Sequence, residues 1–291
     1  MWSQDGEVAR KRGHGSRFGG ALDHFCDSLA SPLTAGAMSI AGRTLGRIAI
    51  ANTIMVTFIF CMEATIENDT DEWFEPPPGG SAAAIASAAY VFLNFLINAA
   101  VHFGLVDEWL GHWTWLTLSF VLCIACIPPT LALIRSAGWL RACETGFLFM
   151  VSIAVFGVLT EESDDGYLQP GLVREGATGL SAIQFILLVA AVSCRVSGGM
   201  VRRTCERQRA NGFDWRALAW TAIVAFVFTC RRFAPQPFEA GSTQEQWLHW
   251  CLQRLPFLAA ADLILRGMMD MRALYVRFFF WDDKRKQLRA A

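Results

Sequence analysis

The sequence predicts an all-α fold: a bundle of seven transmembrane helices, N-terminus outside and C-terminus cytoplasmic. Three observations predict it. Seven apolar stretches divide the chain, each near the length of about 20 residues that a helix needs to cross a bilayer. Charged residues make up 18% of the chain, below the roughly one quarter usual for soluble domains, and the deficit lies in those stretches. The three lysines, Lys11, Lys284 and Lys286, all fall outside them. A sheet fits poorly, because an open edge in lipid leaves backbone groups unsatisfied.

Residues 1–42 form a polar leader. Met1–Arg17 carries the basic cluster Arg10-Lys11-Arg12 and is expected to be disordered. Residues 18–42 suggest a weak amphipathic interfacial helix. The leader lacks the compact apolar core of a signal peptide, and Asp5, Glu7, Asp23 and Asp27 speak against a transit peptide.

Residues 43–275 are read as the membrane domain. The expected spans are Arg47–Met62, Ala82–Val106, Trp113–Ile134, Trp139–Thr160, Ala177–Val196, Trp215–Cys230 and Trp247–Leu265. Several open on Trp, which favours the headgroup region. Residues 276–291 form a basic tail. The longer connections are acidic at Glu63–Gly80 and Glu161–Glu175, and basic at Arg195–Arg216. The basic connection and tail belong inside by the positive-inside rule, which sets the N-terminus outside. The acidic first loop and its Asn68-Asp69-Thr70 glycosylation triplet oppose that orientation. Pro128-Pro129 and Pro256 each interrupt a span and kink it.

The nine cysteines sit mostly in or beside apolar stretches and read as packing residues, including the Cys123/Cys126 pair. No metal site or cofactor is expected. The net charge of −1 argues against a general nucleic-acid binder. The seventh span has no lysine, which excludes retinal held as a Schiff base.

Ionisable and polar groups at membrane depth are the default functional candidates. In the seventh span these are Arg254 and Asp262, with Asp262, Arg266 and Asp270 at i, i+4 and i+8 on one face. Asn98 and His102 share a face of the second span, and Gln184 enters the fifth. Glu144 and Asn52 are weaker candidates. A seven-helix metal hydrolase is disfavoured, because the last span carries no paired histidines. A G-protein-coupled receptor matches in topology alone.

From Gly179 onward the chain resembles the fungal RTA-like lipid-translocating exporter family. The resemblance rests on Gly179-Leu180-Ser181-Ala182-Ile183-Gln184, on the Trp215-Arg216-Ala217-Leu218 opening, and on Arg231-Arg232 followed by Glu239 and Glu245. It departs from the family in the two prolines between Arg232 and Glu239. It implies an outer-face cluster of Arg231, Arg232, Glu239 and Glu245 that binds lipid headgroups. Arginine suits phosphate through paired hydrogen bonds.

These readings together predict a non-enzymatic, multi-pass protein of the plasma membrane or an organelle membrane. It would handle amphipathic lipids by translocation or export, and its substrate residues would be Arg231, Arg232, Glu239, Glu245, Arg254, Asp262, Gln184, His102 and Asn98. The rival readings are a seven-helix receptor or sensor and a structural subunit of a membrane complex. Membrane lipids are the expected partners. Self-association and complex partners stay open.

Overall fold

The computed structural model describes residues 17–41, 46–70, 139–161, 179–206, 214–233 and 242–277, with scattered residues between 92 and 135. The regular elements among them are helices: α1 (Arg17–Ala41), α2 (Gly46–Thr70), α3 (Trp139–Leu159), α4 (Ala182–Cys205), α5 (Trp215–Phe233) and α6 (Thr243–Tyr275). The all-α expectation therefore holds for the described residues.

The count of seven spans and their orientation are not established. Among the described residues, only Ala182–Arg203 is long and apolar enough to cross a membrane by length and composition. The second and third expected spans lie largely outside the described residues, as do Pro128-Pro129 and Cys123/Cys126.

Side-chain capping fixes where the later helices start. Ser181 and Gln184 form a reciprocal capping box on α4. The Ser181 hydroxyl accepts from the Gln184 N–H at 3.3 Å, and the Gln184 side-chain oxygen accepts from the Ser181 N–H at 3.0 Å. Asp214 caps α5 by accepting the N–H groups of Arg216 and Ala217, each at 3.0 Å. Ser242 caps α6 by accepting the Glu245 N–H at 3.2 Å. Glu245 in that first turn also meets the positive end of the helix dipole.

Two helices run past the boundaries read from the sequence. α2 continues to Thr70, through the first eight residues of the expected acidic loop. α4 continues to Cys205, so Arg195, Arg202 and Arg203 stand on a helix rather than in a basic loop.

α4 is the hub of the bundle and packs against α1, α2, α3 and α6. α1 runs antiparallel to it: Phe25 meets Gly198, while Gly36 faces Ile186 one end further on. α6 runs parallel to it, with Gln184 beside Leu252 and Gln253, and Arg195 beside Asp270. The main core includes Ile153, Phe156, Phe185, Leu188, Phe228, Leu252 and Leu263, and all but Leu252 are 0% exposed. Burying each such side chain contributes about 1.5–3 kcal/mol. A second cluster joins Ala21 and Phe25 of α1 to Cys194 and Val201 of α4 and Met271 and Leu274 of α6. α1 is thus a packed member of the bundle at the end where α4 and α6 finish.

The outward side is apolar too. Ile223 and Phe226 on α5 and Leu258, Leu265, Met268 and Met269 on α6 are exposed. Water tolerates such a continuous face poorly, whereas lipid solvates it.

Candidate active site

The acidic face of α1 offers paired carboxylates at the bundle surface. Asp23 and Asp27 stand one helical turn apart; Asp23 is exposed and Asp27 half-buried. At about 100° per residue, they fall about 160° to either side of Phe25. Phe25 is buried among α4 and α6, 7% exposed, so the carboxylates lie on the face of α1 directed away from those two helices. Between them sits Cys26, whose thiol is pushed up in pKa by burial, then by Asp27 and by Asp23. His24, flanking Asp23, is mostly buried, and that burial lowers its pKa while Asp23 opposes the shift.

The pair has the donor chemistry of a hard divalent cation, which prefers carboxylate oxygens. The described residues hold no group of three or more His, Cys, Asp or Glu side chains placed to bind a metal. Two carboxylates nevertheless fit magnesium or manganese, because Mg²⁺ keeps several waters and takes substrate phosphate oxygens as further ligands. Asp5 and Glu7, earlier in the chain, lie outside the described residues.

At the same end of the bundle, α4, α5 and α6 are tied by ions. Asp270 pairs with both Arg195 and Arg202. Arg195 also meets Asp214 at 2.7 Å, so the residue that caps α5 is held to α4. Glu206 pairs with Arg202 at 3.5 Å and with Arg277 at 3.0 Å. Two of the positive charges counted toward a free cytoplasmic loop, Arg195 and Arg202, are matched by an acid distant in sequence, Asp270.

The residues singled out from the sequence do not converge. Gln184 is fully buried and structurally engaged: its amide donates to the carbonyls of Gln253 at 3.0 Å and Leu252 at 3.4 Å. Leu252 is the residue whose carbonyl Pro256 cannot serve, since proline lacks an N–H. Asp262 accepts from the Trp220 indole at 2.9 Å and from Arg266 at 3.0 Å. Asp270 turns to α4 instead of completing the expected ladder along α6. Arg254 is exposed and stacks on the Trp250 ring at 4.2 Å.

His102 is exposed and is the last helical residue before a Schellman turn. In that turn the Leu105 N–H bonds the Ala100 carbonyl and the Gly104 N–H bonds Val101, with Gly104 at φ 69°. It stands at a helix end rather than at mid-depth. Asn98 and Glu239 lie outside the described residues. Arg231 is buried and Arg232 exposed at the end of α5, and Glu245 is half-buried at the start of α6.

Sequence reasoning passed over Asp23 and Asp27. The available signal was an i, i+4 acid pair set opposite an aromatic on an otherwise small-residue helix.

The family model for CDP-alcohol phosphatidyltransferase matches residues 3–125, well under half of the chain and including all of α1 and α2. Neither a curated protein nor a solved structure matches. The family match corrects two expectations. The resemblance to the RTA-like exporters does not hold: the matched family is a different one, and its match lies at the opposite end of the chain. The residues that carried that resemblance have structural reasons. Gly179 leaves no room for a side chain against the Leu159 carbonyl, Leu180 is a core residue, and Ser181 and Gln184 cap α4. The expectation of a non-enzymatic protein is overturned as well, because the matched family consists of enzymes that transfer phosphatidyl groups. With it goes the export reading: the family synthesises membrane lipids and does not move them.

Proposed function

We propose that the chain is an integral membrane enzyme of lipid synthesis. It would transfer a phosphoalcohol group from a CDP-alcohol to an acceptor hydroxyl. The observation that carries this reading is the family match over residues 3–125, within which α1 presents Asp23 and Asp27 together on one face. In the reaction, the acceptor hydroxyl attacks the phosphorus that bears the alcohol. The P–O–P bond breaks, CMP leaves and the hydroxyl loses its proton. Little covalent chemistry is required of the protein in phosphoryl transfer; positioning and charge stabilisation dominate. A divalent cation, when bound, supplies neutralisation of the diphosphate charge. Asp23 and Asp27 would hold it, and the rigid packing of α1 against α4 would fix their spacing. The apolar outer faces of α5 and α6 would keep the lipid substrate and the site in one phase.

The test is CMP release by the purified full chain in lipid vesicles, given a labelled CDP-alcohol, an alcohol acceptor and Mg²⁺. Release is expected, lost with a chelator and restored by Mg²⁺ or Mn²⁺. Asp23→Asn and Asp27→Asn are each expected to lower the rate by on the order of a hundredfold or more, as for removal of a major transition-state contact. Release indifferent to both substitutions would place the chemistry elsewhere. A chain that releases no CMP from any CDP-alcohol would remove the proposal.

A further inference from the structure

One ion pair stands at a depth where lipid tails cannot serve it. α6 runs beside α4 from Leu252 and Gln253, held by Gln184, to Asp270, paired with Arg195 and Arg202. Asp262 and Arg266 fall between those contacts. They therefore lie abreast of the middle of Ala182–Arg203, the stretch of α4 long and apolar enough to cross a membrane. Neither side chain is shut inside the bundle: that of Asp262 is 34% exposed and that of Arg266 38%. Asp262 also meets Trp220 of α5, so the pair sits in the outward groove between α5 and α6. Leu258, Leu265 and Met269, at i−4, i+3 and i+7 from Asp262, share its face of the helix and are exposed. Arg266 uses its Nε on the Asp262 carboxylate, at 3.0 and 3.3 Å. Its two terminal nitrogens meet no acceptor among the described residues. An arginine near a membrane surface can snorkel to water, but this one reaches toward the start of α6 and is held at the depth of Asp262.

We infer that the α5–α6 groove is an interface between two copies of this chain, in which the terminal N–H groups of Arg266 reach the partner's Asp262. Copies inserted the same way are related by a two-fold axis along the membrane normal, which brings equal depths together. Arg266 already extends one turn to the level of Asp262. Across the axis its terminal N–H groups face a carboxylate at their own depth, and the exchange runs both ways. The four charges then balance and pair away from lipid, as intramembrane ions do. The exposed apolar side chains around them close against their counterparts. A phospholipid phosphate does not fit this place, because it stays at the edge of a hydrocarbon core about 30 Å thick. The inference requires the bundle to sit in a bilayer and is independent of the chemistry proposed for Asp23 and Asp27.

The test counts copies of the full chain in lipid vesicles by single-molecule photobleaching, over a range of lipid-to-protein ratios, with thermal unfolding alongside. Paired copies are expected. Arg266→Gln and Asp262→Asn are each expected to weaken pairing by about tenfold, the loss of two interhelical polar contacts. Leu265→Trp alters an exposed position outside the chain's own core. It is expected to weaken pairing too and serves where a charge variant fails to fold. Mixed in one vesicle, Asp262→Asn chains and Arg266→Gln chains are expected to pair with each other in preference to themselves, since only the mixed pair keeps one Arg266–Asp262 contact between copies. An ion pair that acts only within its own chain yields no such preference. Single copies at every ratio, or random pairing in the mixture, overturn the inference. Pairing that survives both Arg266→Gln and Leu265→Trp puts the interface elsewhere and overturns it as well. A chain that does not enter vesicles removes the membrane placement on which the inference stands.

Discussion

The residue that serves the carbonyl left open by Pro256 gives the sharpest quantitative prediction. Gln184 touches three backbone groups from a fully buried position. Gln184→Leu keeps the volume and removes every polar contact. The bond to the Gln253 carbonyl, at 3.0 Å, and the bond from the Ser181 N–H, also at 3.0 Å, are each worth about 1 kcal/mol net. The 3.4 Å contact to Leu252 is weaker as a bond, but losing it strands a buried acceptor, which costs about 1 kcal/mol or more. The expected loss is roughly 3 kcal/mol. Pro256→Ala returns an N–H that can serve the Leu252 carbonyl. In that background Gln184→Leu should cost about 1 kcal/mol less, because one of its three tasks has been taken over. Equilibrium unfolding in mixed detergent micelles, run on all four proteins of the cycle, measures that coupling. Additivity within about 0.5 kcal/mol, the level seen for independent sites, would refute the claim that Gln184 serves the proline gap.

Other substitutions test the remaining contacts. Asp270→Asn leaves Arg195 and Arg202 without their shared carboxylate; a loss of about 2–3 kcal/mol in the same unfolding assay is expected, at the low end for a broken buried pair because Arg202 is partly solvated. Gly36→Ala drives a methyl into Ile186, and about 1–3 kcal/mol of overpacking is expected, partly relieved by Ile186→Val. Trp220→Phe removes the 2.9 Å bond to Asp262 and is expected to cost about 1 kcal/mol, with no change in CMP release.

Much of the helical layout was legible because its signals are local. α3 and α5 start at Trp139 and Trp215, where the apolar stretches were expected to begin. Ser181 with Gln184 and Ser242 with Glu245 are capping patterns within four residues, and both are used. The misread boundaries share one cause. Residues 195–205 carry three arginines and looked like a loop; they remain helical while Asp214 and Asp270 face two of those charges. Those partners lie on other elements, and no local pattern pairs them. The acids at residues 63–70 were read as a loop for the same reason, although the helix runs through them.

The proposed site was passed over through a premise about where function sits. Ionisable groups deep in lipid are expensive, so they were taken as the candidates, and two of them have clear structural partners. Gln184 serves a backbone gap, and Asp262 answers an indole and an arginine. A phosphoryl-transfer site has the opposite requirement. Its substrate carries a charged diphosphate that stays near water, while its lipid part remains in the bilayer. On the proposed reading, carboxylates on the outer side of α1 would meet both demands at little desolvation cost, and so they look in sequence like an ordinary solvated face. What separates them from such a face is the opposite side of the same helix. A solvated helix needs only a loose apolar stripe, whereas α1 presents a phenylalanine fitted between two glycines. Asp23 is exposed and Asp27 half-buried on the side of α1 away from that packing. On the proposed reading, the carboxylates of α1, and not the deepest charges, are where the diphosphate and its cation would be held.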